Sequence, residues 1–402
     1  MKILRSLFAA ALALAALGAA SASAAPNCGL NTRKAATGAQ IVIGADVTAS
    51  GGADMSNAPK GAKAFFDCVN ANGGVNGRPI AYSWADDQTR PDKAAENVKK
   101  LVEDNKAVAL VGGASIVDCI ATVQYFKDQN IISIMGAAVA PPCFTARNVA
   151  GLNAGPRYGL VQAVAYAAKN LKIKHIVCPQ PTFPGAEWIC DGIKAYADLA
   201  GVKFSQFTFD QTSPDNDSLV AQILATGADA TVYVGTPVTA VPFLSAAEHA
   251  DLGAKMVVLA PSPVYNPAIP KAVGPYWNDK LWVNLEFGPI DADGADTRNF
   301  LEVAKAYGAV PDGFAQMGYL AARVAVDAML KADPAKLDRA GVTAALQSEQ
   351  HFKSDMLCAD WSFGGADDTH RLSNRAGWMA VMHDNAWQVK AGCTEVDPRI
   401  IK

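Results

Sequence analysis

Apolar positions along this chain follow two alternating rhythms. Gln40-Ile41-Val42-Ile43-Gly44 is a short apolar run with a turn residue at its end, the pattern of a buried strand. Pro59 then opens a stretch with apolar residues at Ala62, Phe65, Phe66 and Val69, the spacing of one helical face, and Gly73-Gly74 closes it. Residues 79–84 alternate as a strand. Pro91 opens a second helix with Ala94, Ala95, Val98, Leu101 and Val102 inward. A strand over 107–111, a helix over 119–127 and a strand over 131–134 follow. The rhythm restarts after Pro156, with a helix carrying Leu160, Val161, Val164 and Ala168. Strands over 175–178, 202–207, 230–234 and 256–259 then alternate with helices over 186–199, 219–225 and 241–250. Two blocks of β–α units predict an α/β chain with two doubly wound parallel-sheet lobes, divided near residues 151–158. Past residue 281 the order changes to a strand over 281–287, helices over 297–307, 314–330 and 335–347, and a strand-like tail over 356–389. The tail carries turn signals at Gly364-Gly365 and Asp384-Asn385. Such a tail has to pack back on earlier lobes, so the expected domains are discontinuous. The first lobe is 25–154 plus about 288–350, and the second is 155–287 plus about 351–402.

The N-terminus changes the picture of where this fold works. Lys2 and Arg5 precede an apolar run from Leu7 to Ala20, and Ala22-Ser23-Ala24 supplies the small residues of a cleavage site. The run of 14 residues is short of the roughly 20 a helix needs to cross a bilayer. A secretory signal peptide cleaved near Ala24 is expected, and with it a periplasmic location. Cys28 follows Ala25-Pro26-Asn27 and lacks the context of a lipidated cysteine. All eight cysteines lie beyond residue 24, an even number in an oxidising compartment, which predicts four disulfides. Sequence alone does not decide their connectivity. Proximity along the chain suggests Cys28–Cys68, Cys119–Cys143, Cys178–Cys190 and Cys358–Cys393, each contributing roughly 2–4 kcal/mol. Without Lys2 and Arg5, 33 basic residues face 38 acidic ones, a net charge of −5 with no basic patch, which argues against a nucleic-acid partner.

Enzyme signatures are scarce. The chain has no Gly-x-Ser-x-Gly elbow, no phosphate loop and no Gly-x-Gly-x-x-Gly fingerprint. His175, His249, His351, His370 and His383 are scattered, without the spacing of a helical metal pair. Asp291-x-Asp293 with Glu302 imitates part of a calcium loop, but Asp296 stands where that loop needs glycine, so Asp296 or Thr297 reads better as a helix cap. Asp86-Asp87 reads as a solvated turn before the Pro91 helix rather than as a functional carboxylate pair. No catalytic residue, metal or cofactor is expected.

The stretch Asn70-Ala71-Asn72-Gly73-Gly74-Val75-Asn76-Gly77-Arg78-Pro79-Ile80, followed by Trp84-Ala85-Asp86-Asp87 and Val108-Ala109-Leu110-Val111-Gly112-Gly113, resembles the first lobe of the leucine/isoleucine/valine-binding proteins, which have the type I periplasmic-binding fold. Ile43-Gly44-Ala45 and Gly61-Ala62 fit the same pattern. The resemblance implies two α/β lobes joined by three crossover segments, a cleft between them, a small-molecule ligand, and delivery to an ABC permease in the inner membrane by a monomeric binding protein. Two other readings are a ligand-sensing receptor of the same fold and, with less support, an extracellular enzyme. Ligands of open α/β sheets bind beyond the carboxyl ends of the strands, here the loops 45–53, 113–118, 136–141, 179–185, 235–238 and 260–265. Placed on the family's pattern, the first-lobe serine loop is Ser115-Ile116. The next loop is Ala137-Ala138-Val139, with Val139 in a threonine's place. Ser262 stands in the place of the acid that balances a ligand ammonium. Asp54 is a substitute acid, Phe183 an aromatic wall, and Pro237 and Tyr265 further contacts; Trp188 reads as core. The resemblance implies a branched-chain amino acid-like ligand; an ammonium buried without a carboxylate costs several kcal/mol, which shifts the expectation toward an aromatic or aliphatic carboxylate.

Overall fold

The computed structural model describes residues 26–51, 53–183, 185–211, 213–364, 372–397 and 399–400. The expected signal peptide and His370 lie outside them. The first block runs β1 (Ile41–Val47), α1 (Asn57–Ala71), β2 (Ile80–Asp86), α2 (Pro91–Glu103), β3 (Ala109–Val111), β4 (Ala114–Ser115), α3 (Asp118–Asp128), β5 (Ser133–Met135), β6 (Ala137–Ala138), α4 (Pro142–Thr145) and β7 (Val149–Gly151). The second runs α5 (Gly155–Tyr166), β8 (His175–Pro181), α6 (Ala186–Ala200), β9 (Lys203–Phe209), α7 (Asn216–Ala225), β10 (Ala230–Val232), α8 (Pro237–His249), β11 (Val257–Ala260), α9 (Ala268–Val273) and β12 (Leu281–Leu285). Then come α10 (Ala295–Tyr307), α11 (Gly313–Lys331), α12 (Arg339–Gln347), β13 (Ala376–His383) and β14 (Ala386–Glu395).

The strands form two seven-stranded sheets. The first has the order β6-β4-β1-β3-β5-β7, with β2 on β1, and all its pairings are parallel. The second has the order β14-β13-β12-β11-β10-β8-β9; it is parallel except where β13 and β14 add an antiparallel hairpin. In each sheet the strand order reverses beside the first strand of its block, between β1 and β3 and between β8 and β10. A crevice opens at such a reversal, outside the carboxyl ends of the strands.

Helices α10, α11 and α12 return to the first lobe. Two glycines explain the fit of α11 on α1. A Cβ on Gly61 would stand 2.1 Å from the Ala315 carbonyl oxygen, and one on Gly318 would stand 1.8 Å from that of Ala58. The helix backbones therefore touch where no side chain fits, and Phe65 meets Tyr319 edge-on at 5.0 Å beside the crossing. The chain passes between lobes after β7, after β12, and between Phe363 and β13. Phe352, Met356, Trp361 and Phe363 are buried in the core that holds α1 and α11, so this stretch of the tail belongs with the first lobe's packing. The strand expected from residue 356 begins only at Ala376; before it the chain is irregular, with one bridge between Phe352 and Trp361.

All eight cysteines are paired, as Cys28–Cys68, Cys119–Cys143, Cys178–Cys190 and Cys358–Cys393. The first ties the N-terminal arm to α1, the second joins α3 to α4, and the third joins β8 to α6.

The Asp86-Asp87 turn corrects the expectation of a solvated pair. Asp86 accepts from the Ala49 and Gln88 amides and from Ser50, and these bonds outweigh its partial burial and lower its pKa. Asp87 is fully buried; it accepts from Thr48 Oγ1 at 2.9 Å and from Ser115 Oγ. Beside it lie two more buried acids, Asp46 and Asp118. Burial, then the neighbouring carboxylates, pushes the Asp46 pKa far up, and Asp118 is raised mainly by burial. Asp296 does not cap α10, whose N-cap is Gly294; it pairs with Arg323 at 3.0 Å and accepts from Ser354.

Candidate functional site

The crevices of the two sheets face each other across a cleft of about 1140 Å³, counting the space open to solvent. Its first-lobe wall comes from the loops after β1 (Ala53, Met55) and β4 (Ile116), from Ala137, Ala138 and Val139, and from the first turns of α11 (Phe314, Met317). Its second-lobe wall comes from α5 (Gly155, Pro156, Gly159), from Phe183, Phe209 and Leu219, from residues 233–236 after β10, and from the Pro261-Ser262-Pro263 turn after β11. Phe183 is half-buried and packs on the cores of both lobes.

Six of the residues singled out from the sequence meet in this cleft: Ile116, Ala137, Ala138, Val139, Phe183 and Ser262. The other four are placed elsewhere. Asp54 is exposed, and its carboxylate accepts from the Ser56 amide at 2.9 Å ahead of α1. Ser115 is buried behind the wall; its hydroxyl donates to Asp87 and accepts from the amides of Val117 and Asp118, so it starts α3. Tyr265 is buried in the second lobe, its ring 5.4 Å from Trp387 and its hydroxyl donating to Asp291. Pro237 is the first residue of α8, one position beyond the lining residue Thr236. Trp188 packs among Phe144 and Tyr158, with the Arg157 guanidinium 4.9 Å above its ring.

Polar groups of the first-lobe loops that carry Ile116 and Ala138 are engaged within the protein. The Ile116 amide donates to Thr48 Oγ1 at 3.2 Å. The Ala138 amide donates to Asn153 Oδ1 at 2.8 Å, and Asn153 Nδ2 returns a bond to the Ala138 carbonyl. The rest of the first-lobe wall is aliphatic, aromatic or thioether.

One lining residue carries an acid the sequence reading passed over. Glu286 lies one residue beyond β12 and is only 3 % exposed. Its amide donates to Ser262 Oγ at 3.3 Å, and Asn374 Nδ2 donates to its carbonyl at 2.9 Å, which together fix the backbone. Its carboxyl group faces α5. A Cβ on Gly159 would stand 3.4 Å from Glu286 Oε1 and 2.9 Å from Asn284 Oδ1, so a glycine in the middle of α5 makes the room both side chains occupy. Burial raises the Glu286 pKa from 4.5 to about 8, against the opposing hydrogen bonds of the Gly155 and Ala154 amides at the start of α5. Among the described lining residues Glu286 is the sole carboxyl group, and none is Lys, Arg or His. The signal for it was legible: an Asn and a Glu two apart interrupt the apolar run Leu281-Trp282-Val283-Asn284-Leu285-Glu286-Phe287. Tyr233, the other titratable lining residue, bonds Thr239 Oγ1 at 2.6 Å, stacks on Phe243, and has its pKa raised by burial. No helix among the described residues is long and apolar enough to cross a membrane, and no acid, His or Cys cluster among them could hold a metal ion.

Residues 40–385 match a family model described as periplasmic binding protein. An amino acid binding protein of Pseudomonas aeruginosa is 26% identical over 203 residues, 49% of this chain and 54% of that one; the chain spans about half the length of the curated relatives it matches. A fatty acid ABC transporter substrate-binding protein from Thermomonospora curvata shares the fold with a TM-score of 0.78 at 19% identity, over 92% of this chain and 95% of that one. A solute binding protein of an ABC transporter from R. palustris, solved in complex with benzoate, does so with a TM-score of 0.74 at 19% identity, over 90% and 98%.

Proposed function

The chain belongs to the periplasmic binding protein family, and from that premise we propose that it captures a small organic solute with an apolar body between its two lobes and delivers it to an ABC import permease of the inner membrane. The observation that carries the reading is the cleft itself: it lies at the strand-order reversal of both sheets, and both lobes line it with apolar side chains. A ligand there touches Met55, Val139 and Met317 on one side and Phe183, Phe209 and Leu219 on the other. Contacts on two lobes stabilise the closed form over the open one, which is how occupancy becomes a change of shape that a permease can read. The cargoes named for the relatives, an amino acid, a fatty acid and benzoate, each join an apolar portion to a polar end. Binding in this scheme involves no turnover of the ligand. Export by a signal peptide cleaved near Ala24, and action as a monomer, complete the proposal.

Native mass spectrometry of the exported protein tests it. The expected spectrum shows one small-molecule adduct per chain, and Phe183→Ala weakens its retention. Protein that carries no adduct from any growth medium, and whose scattering profile does not contract with any solute offered, counts against capture.

A further inference from the structure

Among the described lining residues one carboxyl group, that of Glu286, can supply a charge to a ligand, and its sign narrows the cargo. Resting on the reading of the cleft as a solute site, we infer that its ligand is an organic amine: an ammonium group on an apolar body, with no carboxylate beside it, held by Glu286. Three observations converge on this. First, most of the first-lobe groups that could cradle a carboxylate are spent internally: Ser115 on Asp87 and the start of α3, the Ile116 amide on Thr48, and the Ala138 amide on Asn153. Second, no described lining residue is cationic, so a ligand anion would find no counter-charge in the cleft, only neutral donors such as Gln211, Asn216 and Thr236. Third, Glu286 is buried on the cleft wall and its carboxyl is backed by the amides of Ala154 and Gly155, donors that support the ionised form once a cation arrives. Asn284 Oδ1 is buried without a hydrogen-bond partner and shares with Glu286 the space opened by Gly159; it stands behind the lining, so the polar end of a ligand meets Glu286. This acid comes from the crossover after β12, not from the turn after β11, where the family resemblance places an acid and this chain has Ser262.

Binding is then coupled to a proton. At neutral pH the empty cleft holds Glu286 largely protonated, since its pKa lies near 8. An ammonium ion favours the carboxylate, so the carboxyl O–H releases its proton to solvent and the two opposite charges pair. The groups around Glu286 leave this titration to Glu286 alone: Asn284, Asn374 and Ser262 do not titrate, Arg157 and Tyr158 on α5 turn toward Trp188, and Arg375 beside Asn374 is exposed.

The test is calorimetric titration of the full exported chain with four probes that share a phenyl ring and differ in their polar end: 2-phenylethylamine, 3-phenylpropionate, 3-phenylpropanol and phenylalanine. Isobutylamine and isopentylamine, with isobutyrate and leucine beside them, repeat the series on smaller bodies. The expected result is that an amine binds at least ~10-fold more tightly than the matched acid, alcohol and amino acid. Glu286→Gln should cost that amine on the order of 100-fold. The amine should also release up to about one proton at pH 7, and its affinity should rise from pH 6 to pH 8; the Gln variant should show neither effect. Tighter binding of a carboxylate or an amino acid, retention of amine affinity in Glu286→Gln, or no amine binding at all would each overturn the assignment. If a carboxylate binds and Phe183→Ala weakens it, the capture reading stands and the amine falls. If no probe binds and no adduct co-purifies, the capture reading itself falls.

Discussion

Replacing Glu286 by glutamine should stabilise the folded chain, and do so more as the pH rises. The unfolded side chain titrates near 4.5 and the folded one near 8, with burial as the cause. Between those values the folded chain keeps a proton that the unfolded chain has released, so stability falls as pH rises through the window and levels off above about 8. Each unit of separation is worth about 1.4 kcal/mol. At pH 7 the penalty is then about 3 kcal/mol, it approaches about 5 kcal/mol above pH 8, and at pH 5 it is under about 1 kcal/mol. Glutamine keeps the shape of the protonated acid and has nothing to ionise. Its carbonyl can accept from the Ala154 and Gly155 amides as the acid does. Urea denaturation of both proteins at pH 5, 7 and 8.5, without ligand, measures the gap. The reasoning predicts near-equal midpoints at pH 5 and a Gln variant that is clearly more stable at pH 8.5. A variant less stable than the parent at pH 8.5, or a gap that stays constant with pH, would refute it.

Asp46→Asn should act in the same direction behind the first-lobe wall of the cleft. Its carboxyl is forced toward the neutral form by burial and by Asp118 and Asp87, and Asp46 Oδ2 has no hydrogen-bond partner; the gain should appear above pH 4 and grow with pH in the same denaturation series. Gly318→Ala should destabilise the first lobe by at least about 1–3 kcal/mol, because the new methyl meets the Ala58 carbonyl of α1 and the helices must separate; an unchanged melting temperature would contradict that packing. Thiol labelling of the unfolded, unreduced protein should find no free cysteine, while reduction should lower stability by roughly 2–4 kcal/mol for each bridge opened; two or more labelled positions before reduction would undo the pairing.

The α/β alternation was legible because it rests on local periodicity. Apolar runs and one-sided helices are set by neighbours within a few residues, and they located the longer strands and helices up to α12; the short elements β4, β6, α4, β7 and α9 carry too few residues to show a period. Closeness along the chain suggests the four cysteine pairs without deciding among the possible connectivities, and in the structure each suggested pair is close in space. The apolar cleft loops were also within reach, since strand ends in such a fold converge by topology, and Val139 and Phe183 stand there. What the chain order could not show is which polar groups remain free. Ser115 looks like a ligand contact until Asp87 and the start of α3 are seen to consume its hydroxyl. Asp54 looks like a counter-charge until its carboxylate is found on the Ser56 amide at the surface. Glu286 gains its character from residues distant in sequence: Gly159, which leaves it room, the amides of Ala154 and Gly155, and the burial that raises its pKa. Elements are written in short-range pattern. The charge and availability of a site are set by long-range packing, and only the tertiary structure decides them.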